Sequence, residues 1–408
     1  MKFVATQIGA RRGYAVPEIF ERAGMLERFY TDMCGSVGLG ASLASLQSVP
    51  WIGARMTRLA ARQIPQSVRA KTRTFGGVVC RGALRGVFAD RDAVSRFRNH
   101  MRFDQDLGRA MIRAGYGEAT HVFSMLAEAS PFLIEARRRG LKVVNEVYIL
   151  LSTERIVVEE RCAFPGWENA EQNFAAVRRE FYQRDPLLTE TDFAICPSDA
   201  VRDDLAANHG FDIRKTCVVP YGMNPKWLAL EPKPQRGRVL FVGTADLRKG
   251  IHYLALAAEQ LKARGFAGEF RVAGNVTDQV RGQAVCKHLN FLGRVPRDRI
   301  HEEFQAADVF VLPTLAEGSA EVTYEALAAG VPLVTTNAAG SVARDGVEGL
   351  LVPERDAAKL ADAIQRLVED RALRDRMALA AHERARDFTW EKYGERLVAA
   401  LSHFHLKK

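Results

Sequence analysis

Glu317 and Glu325 stand eight positions apart in the segment Glu317 to Gly340, EGSAEVTYEALAAGVPLVTTNAAG. Pro313 closes the apolar run AADVFVLP, and Gly318 and Ser319 bring turn and N-cap character. A helix starting near Ala320 then stops at Gly330 with Pro332 behind it. The pattern is strand, loop, helix, strand. At such a junction the helix N-terminus offers free N–H groups and partial positive charge to phosphate- or hydroxyl-rich ligands at the mouth of a sheet. Glu317 falls in the loop and Glu325 on the second helical turn. Eight steps of about 100° leave the two side chains roughly 80° apart, so they cannot grip one atom. Hydroxyl groups on different parts of one ligand, as in a sugar nucleotide, suit them better.

A second junction of this kind lies upstream. LFVGTADLRKG runs from an apolar strand through a glycine turn to Arg248 and Lys249, and then opens the helix GIHYLALAAEQL. A cation at a strand end beside a helix start is well placed for a diphosphate. Each feature also has a plainer reading: Glu317 and Glu325 as solvated helix-start carboxylates, Arg248 as a surface arginine at a turn. Two Asp-x-Asp triplets, Asp90 with Asp92 and Asp104 with Asp106, lack the spacing of three or four that sets two ligands on one helix face. No metal site is expected from them. The six cysteines, Cys34, Cys80, Cys162, Cys196, Cys217 and Cys286, are scattered without the close partners of zinc or redox motifs. They are expected to be buried free thiols of a reducing cytoplasm.

The elements that must position these groups alternate strand and helix through both halves of the chain, which argues for an α/β fold with parallel sheets. Strands are expected near 3–7, 120–125, 142–146 and 193–197, then near 238–243, 270–273, 290–292, 309–312, 332–335 and 350–352. Helices are expected near 93–113, 131–139, 170–189 and 200–209. A chain of 408 residues with 47% hydrophobic content suits two domains. Their expected extents are 1–222 and, after the Pro-, Lys- and Gly-rich stretch NPKWLALEPKPQRGR begins, 223–388. A last helix at 389–408 is expected to cross back to the first.

No apolar run approaches the roughly 20 residues that span a bilayer. The start, MKFVATQIGARRGYAVP, places Arg11 and Arg12 after a short strand, the reverse of a signal peptide's order. The net charge of +9 is concentrated in residues 51 to 100, where eleven Arg or Lys face only Asp90 and Asp92. Within that window WIGARMTRLAARQIP sets Ile52, Met56, Leu59 and Gln63 on one helical face and Arg55, Arg58 and Arg62 on another. Such a helix either lies on anionic lipid headgroups, each basic residue adding about 1 kcal/mol, or packs its apolar face inward and leaves the arginines in water. Nucleic acid is not an expected partner, because no helix-turn-helix, zinc or base-stacking module accompanies the charge.

Taken in order, the motifs resemble the retaining glycosyltransferases of family 4 (glycosyl transferases group 1), whose carboxyl half carries a Glu, seven residues and a second Glu. VVPYGMN, LFVGTADLRKG, FRVAGN, LNFLGRVP and ADVFVLP precede the pair in the family's order and GVEGLLVP follows it. The resemblance is close from about 192 to 390 and loose before that. It implies a GT-B fold, two facing Rossmann-like domains with a cleft between them, the first binding the acceptor and the second the nucleotide sugar. It further implies a retaining, metal-independent transfer from a nucleotide-diphosphate sugar to a glycan or lipid-linked acceptor, in cell-surface polysaccharide or glycolipid synthesis. The enzyme would be cytoplasmic or peripheral at the inner face of the membrane, with no cofactor beyond the donor.

Residue by residue, Lys249 matches the family's phosphate-binding lysine. Thr244 stands where an arginine is usual, and Arg248 is the candidate replacement. Gly293, Arg294 and Val295 match the turn whose backbone meets the base. The N–H groups of Gly318, Ser319, Ala320 and Glu321 would face the donor, with Ser319 and Ala320 in place of the family's aromatic residue and glycine. Glu321 is expected to favour the helix start. His121, in ATHVFSMLAEAS, is the expected histidine near the donor sugar, and Arg11 and Arg12 replace a glycine-rich loop on the phosphate or acceptor side. A nucleotide-sugar epimerase, a phosphorylase of the same fold and an inactive carbohydrate-binding relative are the rival readings. Product analysis or donor turnover separates them.

Overall fold

The computed structural model describes residues 1–48, 53–87, 92–169 and 174–406. Seven strands of the first half, β1 (Phe3–Gln7), β2 (Leu26–Thr31), β3 (Thr72–Thr74), β4 (His121–Met125), β5 (Lys142–Glu146), β6 (Phe193–Cys196) and β7 (Thr216–Val218), form one parallel sheet in the order β3-β2-β1-β4-β5-β6-β7. Six more, β8 (Arg238–Val242), β9 (Glu269–Ala273), β10 (Leu289–Gly293), β11 (Val309–Leu312), β12 (Leu333–Thr335) and β13 (Gly349–Leu351), form a second in the order β10-β9-β8-β11-β12-β13. Helices cover the faces of both sheets, so the central strands are buried on both sides and not alternately exposed. FVATQ, HVFSM, FAIC and VFVL are buried at every position.

In each sheet the strand order reverses once, between β1 and β4 and between β8 and β11. Loops leaving the carboxyl ends of those strands diverge, and the crevice they leave is where open α/β sheets take their ligands. The two halves present these ends to one another. Ser198 Oγ, just past β6, donates to the carbonyl of Gly318, just past β11, at 2.6 Å. The chain crosses between the halves twice, side by side: Met223 N–H bonds the Phe388 carbonyl at 2.8 Å. After that crossing the helix Trp390–Leu406 lies on the first half, with Phe404 stacked on Phe193 of β6 (centroids 4.4 Å).

Several expectations need correction. The helix expected over 170–189 is two, Phe174–Phe181 and Pro186–Glu190, because Asp185 caps the second and Pro186 cannot continue the first; residues 170–173 lie outside the described residues. The basic helix spans Gly53–Ala60, so Arg62 falls beyond its end and pairs with Asp32 at 3.3 Å. The three arginines therefore share no helical face. Arg58 is exposed, while Ile52 and the Arg55 side chain lie outside the described residues. Cys80 and Cys162 are exposed, unlike the buried Cys34, Cys196 and Cys286. Among the aspartates, Asp92 caps the helix Ala93–Ala114, Asp104 accepts from the N–H groups of Ala129 and Ser130, and Asp106 pairs with Arg85. Asp90 lies outside the described residues. Among those residues no helix is long and apolar enough to cross a membrane.

Candidate active site

The crevice between β8 and β11 is built by two loops, Gly243 to Gly250 and Pro313 to Ala320. Gly250 has φ +73°, and a Cβ placed on it would sit 1.9 Å from the Pro313 carbonyl, so only glycine lets the loops close on each other. The Arg248 carbonyl then accepts from Leu315 N–H and Thr314 Oγ1, both at 2.9 Å, and Asp246 Oδ1 accepts from Lys249 N–H at 2.8 Å. These bonds aim two cations at one carboxylate. Arg248 Nη1 lies 2.8 Å from Glu317 Oε2, and Lys249 Nζ pairs with the same oxygen. Burial pushes the Glu317 carboxyl up, but Lys249 and Arg248 outweigh it and the net shift is downward. Arg248 and Lys249, adjacent in sequence, thus flank Glu317 where a phosphate-bearing ligand would meet them.

Beside this cluster starts the helix Glu321–Ala328. Ala320 at its N-cap is extended, and no side chain among the described residues caps the helix. The N-cap expectation for Ser319 fails, because its hydroxyl bonds the Gly340 carbonyl at 2.7 Å and Tyr324 Oη at 2.9 Å. The Ala320 N–H is also occupied, by the Ala339 carbonyl at 2.9 Å. Glu325, one turn into the helix, has no side-chain hydrogen bond or ion pair among the described residues. Burial, with Glu321's charge adding to it, raises its carboxyl to about 7 against an opposing pull from Arg297. A half-buried carboxylate without a partner is one that a ligand can satisfy. Gly293, at the end of β10 with φ +68°, the exposed Arg294 and the half-buried Val295 border the same mouth, and Thr244 is exposed at the start of the β8 loop.

The first half closes the other wall. A Cβ on Gly318 would lie 1.7 Å from the Tyr148 carbonyl, so the residue after Glu317 presses directly on the loop after β5. Arg11 lies 4.2 Å over the Tyr148 ring and pairs with Glu128 at 3.3 Å. Arg12 is buried: Nη2 is 2.6 Å from Glu146, the guanidinium is 3.6 Å over Tyr221, and Nε reaches Glu321 at 3.6 Å. Its Nη1 and Glu146 Oε2 have no hydrogen-bond partner among the described residues. Glu321, expected to serve its own helix start, is exposed and turned to Arg12.

His121 does not belong to the site. It opens β4 at the amino end, opposite the crevice, buried against Phe3 (4.9 Å) with Nδ1 bonded to Thr120 Oγ1 at 2.7 Å. The carboxyl end of β4 instead leads into Leu126, Ala127 and Ala129, all left-handed, with Glu128 among them. Glu128 accepts the Ile8 N–H at 3.0 Å, and its carboxyl is pushed up by burial to about 7. Sequence reading passed over it: a lone Glu in MLAEAS carries no spacing signal.

Comparison with known proteins bears on the family and the fold. A family model described as glycosyl transferases group 1 matches residues 236–370. A glycogen synthase of Mycobacterium tuberculosis is 30% identical over 310 residues, covering 70% of this chain and 71% of that protein. A phosphatidyl-myo-inositol mannosyltransferase of Mycobacterium leprae is 33% identical over 192 residues, covering 44% of this chain and 51% of its own. Among solved structures, a sucrose-phosphate synthase from Thermosynechococcus elongatus matches over the full length of both chains with TM-score 0.68 at 18% identity. Anabaena HepE, in complex with UDP and glucose, matches 99% of this chain and 100% of its own with TM-score 0.62 at 16% identity. The structural likeness bears on the fold, which is of the GT-B type.

Proposed function

Because this chain belongs to the group 1 glycosyl transferases, and so is a glycosyltransferase that takes its sugar from a nucleotide sugar, we propose a retaining, metal-independent transfer to a glycan or lipid-linked acceptor. The observation that carries this reading is the convergence of Lys249 and Arg248 on Glu317 beside the uncapped helix Glu321–Ala328, with Glu325 unpartnered on the next turn. Residues 1–222 form the acceptor domain in this reading, 223–388 the donor domain, and 389–408 the helix that returns to the first.

Without donor, Glu317 is the counter-ion of the two cations. The diphosphate takes its place on Lys249, Arg248 and the helix start, and Glu317 turns to hydroxyls of the donor sugar. Glu325 accepts the ribose hydroxyls, Thr244 borders the phosphates, and the backbone of Gly293 to Val295 meets the base. As the bond from the anomeric carbon to the phosphate oxygen breaks, negative charge grows on the diphosphate, where Lys249, Arg248 and the helix dipole stabilise it. The acceptor oxygen bonds the same carbon from the same face, and its proton passes to the departing phosphate oxygen, so no side-chain base is needed. Arg11 lies on the acceptor side with Tyr148 and Glu128. Arg12 organises that wall through Glu146. The charge of residues 51 to 100, Arg58 included, suits a peripheral position on an anionic membrane and a role in surface polysaccharide or glycolipid synthesis.

Thermal melting against UDP-, ADP- and GDP-sugars tests the reading, since a bound donor raises the transition by mass action. One of them should stabilise the wild type, and less so Lys249→Ala. Donor consumed without any acceptor and returned as an isomer would mark an epimerase instead.

A further inference from the structure

The segment that carries Arg248 and Lys249 is held from the other half of the molecule. After the helix Thr153–Ala163 of the first half, the chain continues through Phe164, Trp167 and Glu168 across the start of the helix Ile251–Ala263. Glu168 Oε1 accepts the Leu247 N–H at 2.8 Å, one residue before Arg248. Its second oxygen accepts from Arg161 Nε at 3.0 Å, which fixes the carboxylate's orientation. On the far side of Lys249, Glu160 accepts from Tyr253 Oη at 3.1 Å, bonds His252 Nε2 at 3.0 Å and pairs with Arg355. His252 is fully buried, with Phe164 and Trp167 packed edge-on against its ring at 4.4 and 5.6 Å. Gln279 and Gln283 reach back to Asn169 and to the Gly166 carbonyl at 3.0 and 3.1 Å.

Two carboxylates of the first half therefore bracket the seven residues from Leu247 to Tyr253, and the two cations lie between them. Within its own half the loop is held by Asp246 on the Lys249 N–H, by the Leu247 carbonyl accepting from Gly250 N–H at 3.0 Å, by the Arg248 carbonyl accepting from Leu315 N–H and Thr314 Oγ1, and by the contact of Gly250 with Pro313. None of these takes up the N–H of the Asp246–Leu247 peptide, one bond ahead of Arg248. The Leu247 N–H is met only by Glu168 among the described residues. Without that bond the Asp246–Leu247 peptide keeps only the long contact of Ile251 N–H to the Asp246 carbonyl, 3.3 Å, and the turn that aims Arg248 is loosened.

We propose that Glu168 is a positioning residue for the donor's diphosphate: reaching across from the acceptor half, it holds the Leu247 peptide so that Arg248 and Lys249 meet the phosphates together. The proposal rests on the nucleotide-sugar reading above. It adds that the phosphate cations of the donor half are set by the acceptor half, so a change in how the halves meet changes the grip on the diphosphate.

The test measures binding of UDP, ADP and GDP, and of uridine, adenosine and guanosine, by calorimetry to the wild type, Glu168→Ala and Glu168→Gln. For whichever base the wild type prefers, the Ala variant should bind the nucleoside diphosphate about tenfold more weakly, the scale of one lost charge-assisted bond, with affinity for the nucleoside unchanged. The Gln variant keeps an acceptor oxygen for the Leu247 N–H and should recover most of the loss. A folded Ala variant that binds the diphosphate as the wild type does overturns the proposal. So does an equal loss for nucleoside and diphosphate, or a Gln variant no better than Ala, each of which marks a merely structural role. If the Ala variant does not fold, Glu168→Asp, which withdraws the oxygen by one methylene, is judged by the same comparison. A wild type that binds none of the diphosphates overturns the nucleotide-sugar reading itself, an outcome distinct from an unchanged Ala variant.

Discussion

Replacing Glu317 by Gln should tighten the binding of a nucleoside diphosphate while slowing transfer. In the ligand-free protein Arg248 Nη1 and Lys249 Nζ both bond Glu317 Oε2, and all three side chains are largely buried. A diphosphate must therefore break two charge-assisted bonds before it can use those cations. Such bonds are worth about 1.5–3 kcal/mol each, and the freed carboxylate recovers part of that on sugar hydroxyls only when a sugar is present. UDP has no sugar beyond its ribose, so the loss falls on it in full. Glu317→Gln leaves a neutral amide that competes weakly, and UDP affinity should rise by about 1.5–3 kcal/mol, roughly ten- to 150-fold. Without ligand the same variant leaves two cations side by side, so its melting temperature should drop and be restored by pyrophosphate. Calorimetry at two salt concentrations measures the first effect and thermal melting the second. UDP affinity that is unchanged or weaker in Glu317→Gln would refute the view that this carboxylate stands in for the diphosphate. An account in which Glu317 meets only the sugar predicts unchanged affinity.

Lys249→Ala should weaken UDP by about 1.5–3 kcal/mol and leave uridine alone, because the nucleoside lacks the phosphates; calorimetry with the pair decides it, and equal losses would move Lys249 away from the phosphates. Uridine affinity should fall as pH drops below about 7, by up to tenfold per unit, because the Glu325 carboxyl, raised to about 7, must ionise to accept both ribose hydroxyls. Glu325→Gln should flatten that profile. In stability the sign is reversed: the raised carboxyl favours the folded state at low pH, and that contribution disappears as pH climbs from the model-compound range near 4.5 through about 7. Chemical denaturation of the ligand-free wild type and Glu325→Gln across that range reads it. The protein should co-sediment with anionic vesicles at low salt and release as the screening length shortens to about 3 Å at 1 M, with Arg55→Gln and Arg58→Gln weakening the binding. Binding indifferent to salt would leave these arginines as an ordinary solvated face.

The strands of the second half were legible because each is a short apolar run bordered by Gly or Pro, so the expected 309–312 coincides with β11 and the expected 332–335 matches β12 to within one residue. β2 was not, since LERFYT places Glu27 and Arg28 inside a strand whose burial comes only from its neighbours. β3 and β7 are three residues each, below the length at which periodicity is readable. Around the site, Glu317, Lys249 and Arg248 could be read because they sit at loop-to-helix junctions, where local sequence dictates local geometry. His121 was misread because an apolar strand does not announce which of its ends faces the crevice; the strand order decides that. The direct pairing of Arg248 and Lys249 with Glu317, some seventy residues apart, and the reach of Glu168 to Leu247 over 79 positions exist only once the sheets are assembled.

The most direct test of the central claim follows the anomeric proton by NMR while the purified protein turns over an α-linked nucleotide sugar with a panel of glycan and lipid-linked acceptors. The account predicts one donor consumed, a new glycosidic signal with α coupling, and loss of that signal in Lys249→Ala. A β-linked product, or turnover undiminished in Lys249→Ala, would contradict it.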